Sequence, residues 1–252
     1  MQNVHRVIVP LAPLRADADD RAEQVSQLLY GEYVVVDLEA EASGETNRAS
    51  NWLQVEAIDD GYIGWIDTRM VEKVTDYESP QPGSLLQDPL TAVEIDGRIF
   101  NLPAGACVPR GVASKAQTAR NAHSAAEAST RFIGAPYLWG GKSILGIDCS
   151  GLVQLSAALV GISLPRDASK QALEGEAVAF DQLRVGDAVF FSKPNTRGEP
   201  AVTHVGWAVN LNSGWGILHA SSDVHIDGLT SKGIVRDEKL THVYYSARRF
   251  KS

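Results

Sequence analysis

AVTHVGWAVNLNSGWGILHASS, residues 201–222, decides how the second half of this 252-residue chain is read. Val202, His204, Gly206 and Ala208 alternate with Val205, Trp207 and Val209, the two-residue period of a β-strand. "WGILHAS" reads as the next strand, and "NLNSGWG" between the two reads as a hairpin loop. If Leu211 faces Gly214 across an Asn212-Ser213 turn, paired positions sum to 425. An odd sum puts His204 and His219 on the same face of adjacent strands, two positions apart on the diagonal; an even sum would put them on opposite faces.

Upstream, "VGDAVFF" reads as another strand of this sheet. Before it, Leu152, Val153, Leu155, Leu159 and Val160 recur at helical spacing, giving a helix from about Ser150 to Val160. "SKAQTARNAHSAAEASTRFI", from Ser114 to Ile133, is alanine-rich and reads as a second helix, stopped by Gly134 and Pro136. Helices followed by an antiparallel sheet make an α+β order, unlike the alternating βαβ of a doubly wound fold.

The first part of the chain is all-β in pattern. "RVIVPLAPLR", "YVVVDLEA", "WLQVEAID" and "GYIGWID" are short β-branched or aromatic runs broken by turn residues, as in a small barrel. Asp60-Gly61 marks a hairpin turn, with Tyr62, Gly64 and Ile66 on one face and Ile63 and Trp65 on the other. "VSQLLY" reads as a turn or edge strand that carries Glu32 outward. "YESPQPGSLLQ" marks a boundary at residues 77–87. The following "AVEIDGRIFNLPAGACVPRG" is too short for a core of its own and is expected to pack on a neighbour, with Cys107 a buried small residue. The divisions are therefore 1–78, 79–113 and 114–252.

Composition excludes some partners. A net charge of −8 and a pI near 5.2 speak against nucleic acid, whose recognition needs clustered Lys and Arg. No apolar run is long enough to span a bilayer. The two cysteines form no Cys-x-x-Cys and no spaced framework, which suits a reducing compartment. With no continuous apolar leader, a cytoplasmic location is expected, or a periplasmic or extracellular one if a leader has been removed. A monomer is expected.

Cys149 is the residue with chemistry. It stands at the start of the helix, where unpaired N–H groups carry partial positive charge that favours the thiolate. Asp148 opposes this unless its carboxylate turns toward another partner. A nucleophilic cysteine needs a base brought near by the fold, and His204 and His219 on one face would supply a base and a residue that orients it. His5, His123, His225 and His242 are read as structural or solvated. A zinc site from Cys149, His204 and His219 lacks any paired ligand spacing, so the thiol reading is preferred and neither metal nor cofactor is expected.

Taken together, "APYLWGG", "DCSGLVQ", "LPRDASKQ", "VGDAVFF", "THVGWAV" and "LHAS" resemble the NlpC-type cysteine peptidases of bacterial cell-wall metabolism, from about residue 118 to the C-terminus. The resemblance implies a papain-like α+β domain with Cys149 as nucleophile, His204 as base and His219 as orienting residue. The N-terminal segments resemble bacterial SH3-like modules. "LYGE" and "DGYIGW" resemble those of YkfC-type γ-D-glutamyl-L-diamino acid endopeptidases, where the module limits substrates to short peptides with a free N-terminal L-Ala. That resemblance implies substrate contacts at Glu32, Tyr62, Tyr137, Asp148, Ser150 and Ser169. Glu32 and Asp148 would then clamp the ammonium, and Tyr137 would help stabilise an oxyanion.

The expected function is hydrolysis of the γ-D-glutamyl-diamino acid bond in free murein peptides. Two other classes stand beside it: an amidase or endopeptidase acting on polymeric peptidoglycan, and a peptidoglycan-binding protein without catalysis.

Overall fold

The computed structural model describes residues 3–36, 51–75, 77, 84–109, 111–112 and 122–251. It divides into two compact units, residues 1–120 with 139–142, and residues 121–138 with 143–252. The segment expected as a separate piece at 79–113 falls within the first unit.

The first unit is a small antiparallel barrel: β1 (Asn3–Val7), β2 (Leu11–Arg15), β3 (Gln24–Leu29), β4 (Tyr33–Val36), β5 (Trp52–Ala57), β6 (Ile63–Asp67) and β7 (Val71–Lys73), in the spatial order β3-β2-β6-β5-β4-β1-β7. Alternate residues fill its interior, with Val7, Leu14, Val34, Val36, Val55 and Ile66 buried together. The Asp60-Gly61 turn is formed as expected, with Gly61 at φ 67° where a side chain would strain. Gly64 and Ile66 point inward and Ile63 outward. A hairpin of β8 (Leu90–Ile95) and β9 (Arg98–Pro103) buries Val93 and Leu102 against Tyr30, Leu86, Ala106 and Val108. Tyr30 ends the barrel's edge strand, so this short segment gains a core by leaning on the barrel. Cys107 is half-buried rather than fully buried, with its thiol against the Ser84 hydroxyl.

In the second unit the helix expected over Ser114–Ile133 is broken at His123 and Ser124 among the described residues. Helix α1 runs only Ala125–Ser129 and continues as a 3-10 turn at Thr130–Phe132; residues 113–121 lie outside the described residues. Ser124 ends it at the N-terminal side in an extended conformation, its hydroxyl accepting from Glu127 N while His123 N donates to Glu127 Oε2. That Ser-x-x-Glu cap fixes where α1 begins. Helix α2 (Cys149–Ala158) is buried from Cys149 to Ala157, and the short α3 spans Ala168–Gln171.

The sheet of this unit comprises β10 (Glu176–Val178), β11 (Ala188–Pro194), β12 (Pro200–Leu211), β13 (Gly214–Ala220), β14 (Val224–Thr230), β15 (Gly233–Arg236) and β16 (Lys239–Arg249). Its order is β10-β16-β11-β12-β13-β14-β15, and β16 pairs with β15 as well as with β11, so the sheet curls shut. One face packs on α2, with Val205, Trp207, Ala188 and Phe190 against Cys149, Val153 and Ala157. The other encloses Val189, Phe191, Ala208, Ile217, Leu229 and Ile234. Both faces are covered, which is why burial in β12 is continuous from His204 to Ala208 rather than alternating. Among the described residues no helix is long and apolar enough to cross a membrane.

Candidate active site

Leu211 pairs with Gly214, and the register runs through Ala208 with Ile217 and Trp207 with Leu218. The odd sum holds, and His204 and His219 meet: His204 Nε2 lies 2.7 Å from His219 Nδ1, with the rings edge to face. Gly206 lies between them in register, and a Cβ there would sit 2.8 Å from His219 Cβ, so only glycine lets the two strands approach with both imidazoles in place. A bulge lies just before His204, since Phe191 pairs with His204 but Ser192 with Val202. It re-aims the side chain at the strand's end, as bulges beside active sites do.

The N–H groups of Val205 and Ser150 donate to the Cys149 sulfur. The thiol thus sits against the backbone of the residue that follows His204. The helix start does not make it a thiolate at rest. Burial, then the charge of Asp148, push the thiol up to about 12, outweighing those two N–H groups and Arg166. His204 is held well below its ordinary value, by burial first and then by His219 and His242. The resting pair is a neutral thiol and a neutral imidazole.

Asp148 caps α2, its Oδ1 accepting from Gly151 N at 2.7 Å. Both its oxygens also accept from the buried Arg166 guanidinium, Nη1 to Oδ1 at 3.0 Å and Nη2 to Oδ2 at 2.6 Å, and Arg166 reaches the Ser150 hydroxyl at 2.8 Å. Its charge is therefore spent on a cation of the chain. "LPRDASKQ" contained Arg166, but nothing in the spacing gave it that partner. Tyr137 is half-buried; burial, then the charges of Cys149 and Asp148, push its hydroxyl up to about 12, so it remains a hydrogen-bond donor. Ser169 is exposed in the first turn of α3.

In the first unit, Glu32 is turned inward rather than outward. Its carboxylate accepts from Leu29 N at 2.9 Å and from Lys142 Nζ at 2.8 and 3.1 Å. Those donors make burial tolerable, although burial still leaves Glu32 above its usual range, with Lys142 opposing. Tyr62 packs on the barrel core, its N–H donating to Asp60 Oδ1.

Further residues surround the pair, and the sequence assigns none of them to it. His219 Nε2 lies 3.1 Å from Asp227 Oδ2, and Asp227 is held by Arg236 Nε at 3.1 and 3.0 Å. His225, paired with His219 across the ladder, sets its ring edge to face 4.8 Å away, and His242 stacks on His204 at 4.4 Å and 27°. His225 and His242 thus belong to the cluster rather than to solvent. "HID" on an alternating strand was the available signal, but reading it required the register of β14. His219, His225 and Asp227 offer ligand atoms within 4.8 Å of one another, yet Arg236 bonds both Asp227 and His225 Nε2, so a cation of the chain already occupies their midst.

Comparison with known proteins bears on both units. Residues 134–245 match the NlpC/P60 family and residues 14–70 the bacterial dipeptidyl-peptidase SH3 domain. A γ-D-glutamyl-L-lysine dipeptidyl-peptidase of Bacillus subtilis (strain 168) is 43% identical over 89 residues, 35% of this chain and 28% of that protein. Its namesake in Bacillus cereus (strain ATCC 10987 / NRS 248) is 34% identical over 122 residues, 47% of this chain and 33% of that one. The chain thus spans about a third of the length of these curated relatives. A crystal structure of an NlpC/P60 family protein from Bacillus cereus ATCC 10987 superposes with a TM-score of 0.69 at 18% identity, over 98% of this chain and 99% of that one, which speaks to the fold. Residues 134–245 are an NlpC/P60 domain, and they follow a bacterial dipeptidyl-peptidase SH3 domain at 14–70.

Proposed function

We propose that this protein is a cysteine peptidase of peptidoglycan-derived peptides, with Cys149 as nucleophile, His204 as base and His219 as orienting residue. The observation that carries the reading is the arrangement of a helix-start thiol against the strand that presents a His204–His219 pair. His204 takes the thiol proton as sulfur attacks the carbonyl carbon, so that thiolate and imidazolium arise together rather than standing preformed. Tyr137 and backbone N–H groups near Cys149 stabilise the oxyanion. The imidazolium then protonates the leaving amine as the C–N bond breaks, leaving a thioester on Cys149. Water, deprotonated by His204, cleaves the thioester and restores the thiol.

The finer reading is cleavage of the γ-D-glutamyl-diamino acid bond in free murein peptides with an unblocked N-terminal L-Ala. The names of the Bacillus relatives support it. Glu32, whose carboxylate already holds the Lys142 ammonium within the first unit, is the acid proposed for the substrate amine, and Tyr62 is proposed to wall the alanine methyl. Asp148, which also caps α2 and pairs with Arg166, is proposed as the second acid, with Ser150 and Ser169 as the further substrate contacts. Incubation with L-Ala-γ-D-Glu-Lys, its diaminopimelate analogue and their N-acetylated forms, with products identified by mass, tests both levels. Release of L-Ala-D-Glu from the free peptides only, abolished in Cys149→Ala, is expected. Cleavage that persists without the thiol refutes the mechanism; indifference to acetylation refutes the amine requirement.

A further inference from the structure

We propose that Asp227 is a positioning residue for the reaction above, fixing through His219 which nitrogen of His204 is bare toward the thiol. This rests on the assignment of His204 as base. A carboxylate only accepts hydrogen bonds, so Asp227 Oδ2, 3.1 Å from His219 Nε2, requires the His219 proton on Nε2. His219 Nδ1 is then an acceptor, and at 2.7 Å it takes the proton on His204 Nε2. His204 Nδ1 is left with its lone pair, the form a base needs.

Without Asp227 nothing holds His219 in that tautomer. A His219 carrying its proton on Nδ1 would donate to His204 Nε2, move the His204 proton to Nδ1 and block the base. Asp227 takes no proton itself; it opposes the positive charge that spreads over the two imidazoles once His204 is protonated.

The surroundings are built to keep Asp227 in this role. Arg236 bonds both its oxygens, which fixes the carboxylate's plane and keeps it ionised. Burial pushes Asp227 up, and the hydrogen bonds from Arg236 and His219 overcome this and hold it below the usual carboxylate range. The register places it: His219 pairs with His225 and Ile217 with Asp227, so Asp227 lies two residues along β14 on the His225 face, diagonal to His219. The other charged or titratable groups facing the pair are His225, His242, Lys193 and Arg236, and Asp223 holds the far ring nitrogen of His225, so Asp227 is the anion bonded to His219 among the described residues.

Asp227→Asn, compared with Asp227→Glu in the full chain, tests the proposal by three readouts. The first is kcat against KM; the second is the pH dependence of Cys149 alkylation by iodoacetamide, mapped by mass to separate it from Cys107; the third is the ¹⁵N shifts of His204. Asp227→Asn is expected to lower kcat about 10- to 100-fold with KM unchanged, as loss of an outer partner does at other sites. Its alkylation profile should move to higher pH, and His204 should lose its single tautomer; Asp227→Glu should recover part of each. An unmoved alkylation profile together with an unchanged His204 tautomer overturns the proposal. If Asp227→Asn does not fold, Arg236→Met is read in its place, with the same expected shift and the same refuting result. A wild-type protein that alkylates as described but cleaves no peptide defeats the proposed function alone, because the last two readouts need no substrate.

Discussion

Arg166→Met removes the guanidinium that lies between Asp148 and Ser150. Arg166 and Asp148 are buried, with side-chain exposures of 2% and 8%, and their closest approach is 2.6 Å. The substitution withdraws two hydrogen bonds from the Asp148 carboxylate and one from Ser150, and leaves the carboxylate with the Gly151 N–H at 2.7 Å as its nearest remaining donor shown. Removing one partner of a buried pair costs about 3–5 kcal/mol, because the charge left behind has already lost its water. Domains have stabilities of about 5–15 kcal/mol, so this takes about a fifth or more of the total. At about 2–4 °C per kcal/mol for a unit of this size, the midpoint falls by about 10 °C. The thiol feels it too: Arg166 is one of the groups that oppose the upward push on Cys149, so alkylation should need higher pH. Adding Asp148→Asn should restore much of the loss, since Asn caps a helix as well as Asp and brings no charge. Urea unfolding and thermal scans of wild type, both single variants and the double variant give the cycle. A loss under about 1 kcal/mol in Arg166→Met, the figure for exposed pairs, would refute the buried-pair reasoning, as would a double variant no more stable than Arg166→Met.

Gly206→Ala should destabilise the second unit by about 2 kcal/mol and abolish activity, because its Cβ meets Leu218 O at 2.7 Å and His219 Cβ at 2.8 Å and must spread β12 from β13; unfolding curves and peptide assays check it. His219 is held down to about 4, by burial first, so the folded state keeps it neutral while the unfolded chain protonates near 6.5; stability of the second unit is whole above that value and falls by roughly 3 kcal/mol as pH drops to 4, measurable by urea titration at each pH. Lys142→Met should raise Glu32 further above its usual range. The first unit then loses stability as pH rises from about 4.5 and regains it on acidification, where the carboxyl is protonated in both states; the opposite slope would count against the Glu32–Lys142 pair.

Much of the fold was legible because its periodicities are local. The Leu211–Gly214 register followed from one short loop between two alternating strands, and with it the meeting of His204 and His219. The barrel turn at Gly61 followed from one dipeptide. The helix expected across Ser114–Ile133 is broken at His123 and Ser124 among the described residues, where the Ser124–Glu127 cap starts α1 afresh; propensity alone does not show that cap. Glu32 was turned the wrong way for a different reason: a carboxylate on a turn is normally solvated, and its partner Lys142 lies 110 residues downstream.

The sequence by itself determined the elements, the strand register and the residue types at the site, because hydrophobic period and turn chemistry act within a few residues. Tertiary structure alone decided the charges. Whether Cys149 rests as thiol or thiolate depends first on burial, set by strands far from it in the chain, and then on its neighbour Asp148, with Arg166 opposing. Asp148, expected as half of an ammonium clamp, is also half of a buried ion pair; His225 and His242, read as structural or solvated, sit against the two central imidazoles. Electrostatic energies depend on distance and on access to water, and both are set only when strands far apart in sequence close into one sheet.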